Sequence, residues 1–186
     1  MARTVVITGF MGCGKSKVAR ALAQSLNLTM VDLDESITAR TGRTPAQLIN
    51  EDGERAFRAV ESETLRDVLH SREAGVVALG GGAWIEAANR ELINEYGCAT
   101  VWLDVPFEVC WARIEMTGED RPLGKTRSQA LARYKRRRPV YHLANIHVPV
   151  SGREELDDLI SRIKKFLAAD YTEKRGPENS DPRFPA

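Results

Sequence analysis

Cysteine is scarce in this 186-residue sequence, and the three that are present (Cys13, Cys98 and Cys110) lie far apart. An odd, scattered set predicts neither a disulfide framework nor a metal site, so we expect reduced thiols and a cytoplasmic protein. Long apolar runs are also missing, since none approaches the roughly 20 residues of a membrane span. An apolar segment begins at residue 5, which leaves no room for a signal peptide. We therefore expect no membrane partner.

A strong excess of one charge is missing as well. The formal net charge is +1, so no overall field favours nucleic acid or an anionic membrane. With 42% hydrophobic and 28% charged residues, the composition is typical of a soluble globular protein. The length predicts one domain, which we place at residues 1–169, and we expect a monomer. Beyond Asp170 the chain is rich in Pro, Glu, Lys and Arg, so residues 170–186 are expected to form a disordered tail.

The chain is organised around a glycine-rich segment at residues 9–16, Gly-Phe-Met-Gly-Cys-Gly-Lys-Ser. A β-branched apolar run precedes it and a helical pattern follows it, which is the context of a phosphate-binding loop. The glycines let backbone N–H groups turn toward a phosphate at the positive end of the helix. Lys15 would reach the terminal phosphates and the Ser16 hydroxyl would ligate Mg²⁺. The alternative is a chance glycine-rich turn, but the order of these features favours binding of a nucleoside triphosphate.

Two carboxylates follow the next apolar run. Residues 30–34 read as a strand that ends in Asp32 and Asp34, which would point to the same side because strand residues alternate. The carboxyl ends of parallel strands form the ligand crevice of an open sheet, so these carboxylates could serve Mg²⁺ and a substrate hydroxyl. The alternative is a helix N-cap and a solvated acid, since the pattern predicts a helix that begins near Glu35.

Three consecutive glycines, Gly80, Gly81 and Gly82, follow the apolar run at residues 76–79. Glycine at a strand's carboxyl end permits close approach of the backbone to a ligand, whereas the alternative is a tight turn into the next helix. An earlier helical pattern over residues 54–70 carries Arg58 one turn before Glu61. Spacing alone favours a surface ion pair there, worth well under ~1 kcal/mol.

A basic region extends from Arg121 to Arg138, where eight Lys or Arg residues occur without an acid. Residues 117–125 are polar and read as a mobile loop. Thr126 and Gln129 predict the start of a helix that ends near Arg138, before Pro139. The basic run could be a solvated face, a nucleic-acid patch or a set of arginines facing an anionic site, and charge alone does not distinguish these.

Five predicted strands alternate with helices, which predicts an α/β three-layer sandwich around a parallel sheet. Within that pattern, a set of motifs closely resembles the shikimate kinase family. The resemblance runs from about Arg3 to Leu167. Its landmarks are the loop at residues 9–16, Asp32-Leu33-Asp34, Phe57-Arg58 with Glu61, Gly80-Gly81-Gly82, Arg121-Pro122-Leu123 and Arg137-Arg138-Pro139-Val140-Tyr141.

The resemblance implies ATP-dependent phosphorylation of the 3-hydroxyl of shikimate, in aromatic amino-acid biosynthesis, with ATP and Mg²⁺. It implies the nucleoside monophosphate kinase fold, a P-loop kinase fold with sheet order 2-3-1-4-5 and a mobile lid near residues 117–125. The implied catalytic residues are Lys15, Asp34 and Arg121, and the implied metal-supporting residues are Ser16 and Asp32. The implied nucleotide-binding residues are Gly12, Cys13, Gly14, Lys15, Ser16, Lys17, Arg113, Arg121 and Arg153. The implied shikimate-binding residues are Asp34, Arg58, Gly80, Gly81, Gly82 and Arg137, with Glu61 holding Arg58.

Two residues depart from the family pattern. Lys17 stands where the family usually has Thr, and Gly124 stands where it usually has Leu. Neither change removes a residue with an implied role. Other hypotheses are a kinase for another hydroxylated acid such as gluconate, a catalytically silent nucleotide-binding module, and a nucleic-acid binder based on residues 135–138. The complete set of implied residues argues against a changed substrate and against a silent module, and we expect no nucleic-acid partner.

Overall fold

The computed structural model describes residues 3–117 and 126–175. Five parallel strands form one sheet in the order β2-β3-β1-β4-β5, as the resemblance implied. The strands are β1 (Val5–Thr8), β2 (Met30–Asp32), β3 (Val76–Ala78), β4 (Ala99–Asp104) and β5 (Ile146–Pro149). Every residue of β1 and β3 is buried, because helices cover both faces of a parallel sheet.

Eight α-helices surround the sheet in the described part of the chain. They are α1 (Lys15–Leu26), α2 (Leu33–Thr41), α3 (Pro45–Asp52), α4 (Glu54–Ser71), α5 (Ala87–Glu95), α6 (Phe107–Thr117), α7 (Arg127–Tyr141) and α8 (Leu156–Arg175), and a 3₁₀ turn spans Ala83–Ile85. Helix α1 packs on α8, whereas α4 packs on α3 and α5. Within the described ranges, no helix combines the length and the apolar character that crossing a membrane requires.

Local side-chain caps determine where several helices begin. Thr44 accepts from the Gln47 N–H while the Gln47 side chain accepts from the Thr44 N–H, so the predicted capping box is confirmed. The Asp32 side chain caps α2 by accepting from two backbone N–H groups, and the predicted strand over residues 30–34 therefore ends at Asp32. Asp34 lies on the first turn of α2 rather than on the strand.

Two predicted boundaries near the carboxyl end of the chain were too early. Helix α7 does not stop before Pro139 but continues to Tyr141. Proline removes one backbone donor from the last turn, yet that turn is held by tertiary hydrogen bonds, since the Trp84 indole donates to the Val140 carbonyl and the Tyr141 hydroxyl donates to the Gly81 carbonyl. Helix α8 likewise continues past Asp170 to Arg175, and residues 176–186 of the expected tail lie outside the described residues.

Candidate active site

A cleft of about 770 Å³ opens along the carboxyl edge of the sheet. Its walls come from the segments after β1, β2 and β3, from the amino ends of α3 and α4, and from α7. The residues predicted from the phosphate loop, with the exception of Cys13, line it together with Asp32, Asp34 and the three glycines. Parallel strands thus bring together chemistry that is separated by many residues in the sequence.

The phosphate loop occupies one end of the cleft and leads directly into α1. Gly12 has a φ of +74°, and a Cβ there would lie 2.6 Å from the Cys110 carbonyl oxygen, so only glycine fits. Lys15 is 8% exposed, and its Nζ donates to the Phe10 carbonyl at 3.0 Å. The ammonium group is therefore held within the loop, where an incoming phosphate can replace the carbonyl as its partner.

Two loop residues with implied nucleotide roles differ in their setting. The Cys13 side chain is buried, with its Sγ 3.9 Å from Lys15 Nζ, so its contribution to phosphate binding is limited to the backbone. Lys17 is exposed and lines the cleft from the first turn of α1.

Asp32 caps a helix and also contacts the phosphate loop. Its Oδ1 accepts from the N–H groups of Asp34 and Glu35, at 3.0 and 3.4 Å, which caps α2. Its Oδ2 accepts from the Ser16 hydroxyl at 2.5 Å. The cap therefore fixes the carboxylate in position beside the loop serine.

The Arg58–Glu61 pair is a buried interaction, and the interpretation as a surface ion pair was wrong. Arg58 Nη1 donates to Glu61 Oε2 at 2.6 Å, and the Glu61 side chain is 0% exposed. Burial raises the pKa of Glu61 to about 7, although the Arg58 charge opposes this rise and Asp34 adds to it. Arg58 itself lines the cleft, so the buried carboxylate orients the guanidinium toward the ligand space.

The three glycines allow side chains from α2 and α4 to approach the backbone closely. A Cβ on Gly80 would lie 2.7 Å from Asp34 Oδ1 and 2.8 Å from Glu61 Oε1, and a Cβ on Gly82 would collide with the Arg58 guanidinium. The alternative, a simple tight turn, does not account for these approaches. Any side chain at either position would displace a charged group that lines the cleft.

Arg137 enters the cleft from α7. Its Nη1 donates to the Gly81 carbonyl at 2.9 Å, and the Tyr141 hydroxyl donates to the same oxygen at 2.7 Å. Burial lowers the pKa of Arg137, and within residues 3–117 and 126–175 no carboxylate lies within ion-pair distance of it. Among the described residues, Arg137 is thus a buried cation of the cleft without an ion-pair partner.

A family model described as shikimate kinase matches residues 11–168, nearly the whole of the described chain. The chain belongs to the shikimate kinase family. The shikimate kinase of Cereibacter sphaeroides is 37% identical over 90% of this chain and 84% of the relative. That of Rhodococcus jostii is 36% identical over 82% of this chain and 91% of the relative.

Solved structures agree with this membership. A shikimate kinase from Acinetobacter baumannii, in complex with shikimate, superposes with a TM-score of 0.83 at 29% identity, over 91% of this chain and 95% of that one. A gluconokinase from Sinorhizobium meliloti superposes with a TM-score of 0.58 at 20% identity, which is a likeness of fold alone. The ATP-dependent reaction of the shikimate kinase family requires a nucleotide site and an acceptor site in one cleft.

The resemblance also implied nucleotide roles for three arginines, two of which lie within the described residues. Arg113 of α6 lines the cleft and donates to the carbonyls of Cys13 and Gly12, at 3.1 and 3.4 Å, so it braces the phosphate loop. Arg153 is exposed on the segment between β5 and α8 and is not among the residues that line the cleft. Arg121 and the departure at Gly124 lie outside the described residues, as does the implied lid except for Thr117 at its start.

Sequence reasoning missed Arg133 and Glu54. Arg133 lines the cleft from α7, and Glu54, at the first position of α4, lies within ion-pair distance of both Arg133 and Arg58. A signal was available, because residues four apart share a helix face and Arg133 precedes Arg137 by that spacing. The basic run was interpreted as a whole, and a role was assigned to Arg137 without considering which other residues share its helix face.

Proposed function

We propose that this cleft transfers the γ-phosphoryl group of ATP to the 3-hydroxyl of shikimate, giving shikimate 3-phosphate and ADP for aromatic amino-acid biosynthesis. The observation that carries the proposal is one cleft that contains the phosphate-loop Lys15 together with a carboxylate and two inward-facing guanidiniums, those of Asp34, Arg58 and Arg137. Shikimate offers the matching groups, since it is a hydroxylated ring with one carboxylate.

The nucleotide half rests on the loop and its neighbours. Backbone N–H groups of residues 12–17 and the amino end of α1 receive the phosphates, and Lys15 exchanges the Phe10 carbonyl for a phosphate oxygen. Arg113 braces the loop from outside, and Lys17 adds charge at its edge. Arg153 and the lid residue Arg121 complete the proposed nucleotide set.

The residues beside the loop fit a magnesium ion. Ser16 Oγ and Asp32 Oδ2 are 2.5 Å apart, and a hydroxyl with a carboxylate is a donor set typical of Mg²⁺ sites shared with phosphates and water. Across the described part of the chain, no cluster of three or more His, Cys, Asp or Glu residues is arranged to hold a metal by itself. When bound, the ion would neutralise charge on the transferring phosphoryl group.

The acceptor half uses planar donors and a carboxylate. Arg58, oriented by buried Glu61, and Arg137 form charge-assisted hydrogen bonds with the shikimate carboxylate. Gly80, Gly81 and Gly82 line the cleft, where the absence of side chains lets the ring approach the backbone. Asp34 accepts hydrogen bonds from the ring hydroxyls and so directs the 3-hydroxyl toward the nucleotide end of the cleft.

Phosphoryl transfer asks for alignment and charge neutralisation more than for covalent chemistry by the protein. The 3-hydroxyl oxygen forms a bond to the γ-phosphorus as the bond to the bridging β–γ oxygen breaks, and ADP leaves. Asp34 is the group placed to receive the proton of the attacking hydroxyl. Arg121, by its implied role, neutralises charge on the transferring phosphoryl group. We take the protein to act as a cytoplasmic monomer without nucleic-acid or membrane partners.

A coupled ADP-release assay tests the proposal. Mg²⁺-ATP would be supplied with shikimate, with gluconate or with no acceptor, and Arg137→Ala would be run beside the wild type. We expect turnover with shikimate alone and a rise in the KM for shikimate of about a hundredfold in the variant. Turnover with gluconate at a comparable rate, or nucleotide binding without turnover on any acceptor, would overturn the proposal.

A further inference from the structure

Helix α7 directs a third guanidinium toward the acceptor end of the cleft. The Arg133 side chain is 18% exposed and lines the same cleft as Arg58 and Arg137. It lies four residues before Arg137, so the two side chains leave the same face of α7 one above the other. No role was assigned to it from the sequence.

The charge of Arg133 is only weakly compensated. Its Nη1 lies 3.8 Å from Glu54 Oε1, and that same oxygen accepts from Arg58 Nη2 at 3.1 Å. Within residues 3–117 and 126–175 its guanidinium makes no hydrogen bond to a side chain or to the backbone. Burial lowers the pKa of Arg133, and the nearby charges of Arg136 and Arg58 lower it further. A cation in such a position is stabilised when an anion arrives.

The charges around Arg133 favour the binding of an anion. Three guanidiniums, those of Arg58, Arg133 and Arg137, face two carboxylates at this end, namely Glu61, which is bound to Arg58, and Glu54, which is shared between Arg58 and Arg133. Asp34 lies close to Glu61, since a Cβ on Gly80 would contact both carboxylates, and it is the group expected to take the acceptor hydroxyls. A carboxylate on the acceptor supplies a further anion for the three guanidiniums.

We propose that Arg133 is a third anion-binding residue, which contacts the acceptor carboxylate together with Arg58 and Arg137 and which Glu54 holds in place before the acceptor binds. This inference rests on the proposed function, because it takes the acceptor to carry one carboxylate at this end. The structural alternative is that Arg133 serves only as a tether between α7 and the amino end of α4 through Glu54. The two roles differ in what happens when the charge of the ligand or the charge of Glu54 is removed.

Binding measurements with shikimate and with an uncharged analogue distinguish the two roles of Arg133. Dissociation constants would be measured calorimetrically for shikimate and for its carboxamide analogue, with the wild type, Arg133→Ala and Lys135→Ala. Lys135 is the matched control, since it is an exposed cation on the same helix. We expect Arg133→Ala to weaken shikimate binding about tenfold and carboxamide binding less than about twofold. The reason is that only shikimate offers a carboxylate for a charge-assisted hydrogen bond with Arg133. Lys135→Ala should change neither ligand by more than about twofold.

A second variant tests the tether directly. If Arg133 binds the acceptor, Glu54→Gln frees the Arg133 guanidinium and lowers the dissociation constant for shikimate about twofold to threefold. Arg133→Ala changes that dissociation constant in the opposite direction. If Arg133 is a tether, both variants weaken binding alike.

Unchanged shikimate affinity in Arg133→Ala, or an equal loss for both ligands, would overturn the inference while leaving the proposed function intact. A wild-type protein that binds shikimate no better than the carboxamide would instead overturn the proposed function. Thermal unfolding of each variant accompanies the binding data, and a partly unfolded Arg133→Ala would be replaced by Arg133→Gln.

Discussion

Arg58 Nη1 donates to Glu61 Oε2 at 2.6 Å, and the carboxylate that receives this hydrogen bond is completely buried. The pair sits on one turn of α4, behind the acceptor end of the cleft. A buried carboxylate next to a ligand-facing guanidinium fixes that guanidinium more firmly than solvent would, because the alternative is an unpaired buried charge. The same burial makes the protein's stability depend on pH.

Glu61→Gln should flatten that pH dependence. Burial raises the pKa of Glu61 from 4.5 to about 7, so between these values the folded protein binds more protons than the unfolded chain. The unfolding free energy contributed by Glu61 therefore falls as pH rises from 4.5 to 7, by about 3 kcal/mol, and is constant above that range. Glutamine does not titrate. Urea unfolding at pH 5, 6, 7 and 8 checks this, and a wild-type-minus-variant difference that is independent of pH would refute the assignment.

Gly80→Ala should damage the acceptor site while leaving the fold in place. Its Cβ would lie 2.7 Å from Asp34 Oδ1 and 2.8 Å from Glu61 Oε1, so both carboxylates must move. We expect kcat/KM for shikimate to fall at least about a hundredfold, since small displacements of positioned groups cost that much. Gly42→Ala is the control: its φ of +71° makes alanine strained, but its Cβ meets open space. That variant should lose about 1 kcal/mol of stability and keep its KM, and equal kinetic losses in the two variants would contradict the prediction.

Two substitutions of Asp32 separate its helix cap from its proposed metal role. Asparagine caps a helix as well as aspartate does, so Asp32→Asn should change the unfolding free energy by less than about 0.5 kcal/mol, whereas Asp32→Ala should cost about 1 kcal/mol. Both variants lose the negative charge beside Ser16, and both should need about tenfold more Mg²⁺ for half-maximal activity. Magnesium titrations that match the wild type would leave Asp32 with the cap alone.

Tyr141→Phe should remove one of the two hydrogen bonds that position the Gly81 carbonyl. The hydroxyl of buried Tyr141 and Arg137 Nη1 both donate to that oxygen, so one of two donors is removed. We expect a loss of about 1 kcal/mol in unfolding free energy and a rise of a few fold in the KM for shikimate. Tyr96→Phe is the comparison, because its hydroxyl makes only a 3.3 Å contact with His70 Nδ1 at the opposite end of the sheet. A Tyr141→Phe variant as stable and as active as Tyr96→Phe would count against this role.

Local signals in the sequence predicted much of the fold. The capping box of Thr44 and Gln47 acts within one turn, so the start of α3 follows from the sequence alone. The phosphate loop is also local, because its glycines, its lysine and its flanking elements are contiguous. Parallel strands then place the loop, Asp34 and the three glycines at one edge, so most of the cleft follows from the strand pattern and the resemblance together.

Tertiary contacts determine the features that the sequence did not predict. Pro139 predicts a helix end, but Trp84 and Gly81 hold the turn beyond it. Spacing cannot distinguish a surface pair from a buried one. The resemblance implied that Glu61 holds Arg58, but only the structure showed that Glu61 is buried. Asp34 was expected to face the site from a strand and instead does so from the first turn of a helix, because Asp32 caps that helix. Arg133 was hidden in a basic run whose members leave α7 on different faces.

The central claim is that this cleft places the 3-hydroxyl of shikimate against the γ-phosphoryl group of ATP, with Asp34 directing it. The most direct measurement is ¹H–³¹P correlation NMR of the product formed from shikimate and Mg²⁺-ATP by the wild type and by Asp34→Asn. We predict phosphorus coupled to the proton on carbon 3, one phosphorylated product per ADP, and a rate at least about a thousandfold lower in the variant. Phosphate on another hydroxyl, ADP without phosphorylated shikimate, or an unaffected variant would contradict the account.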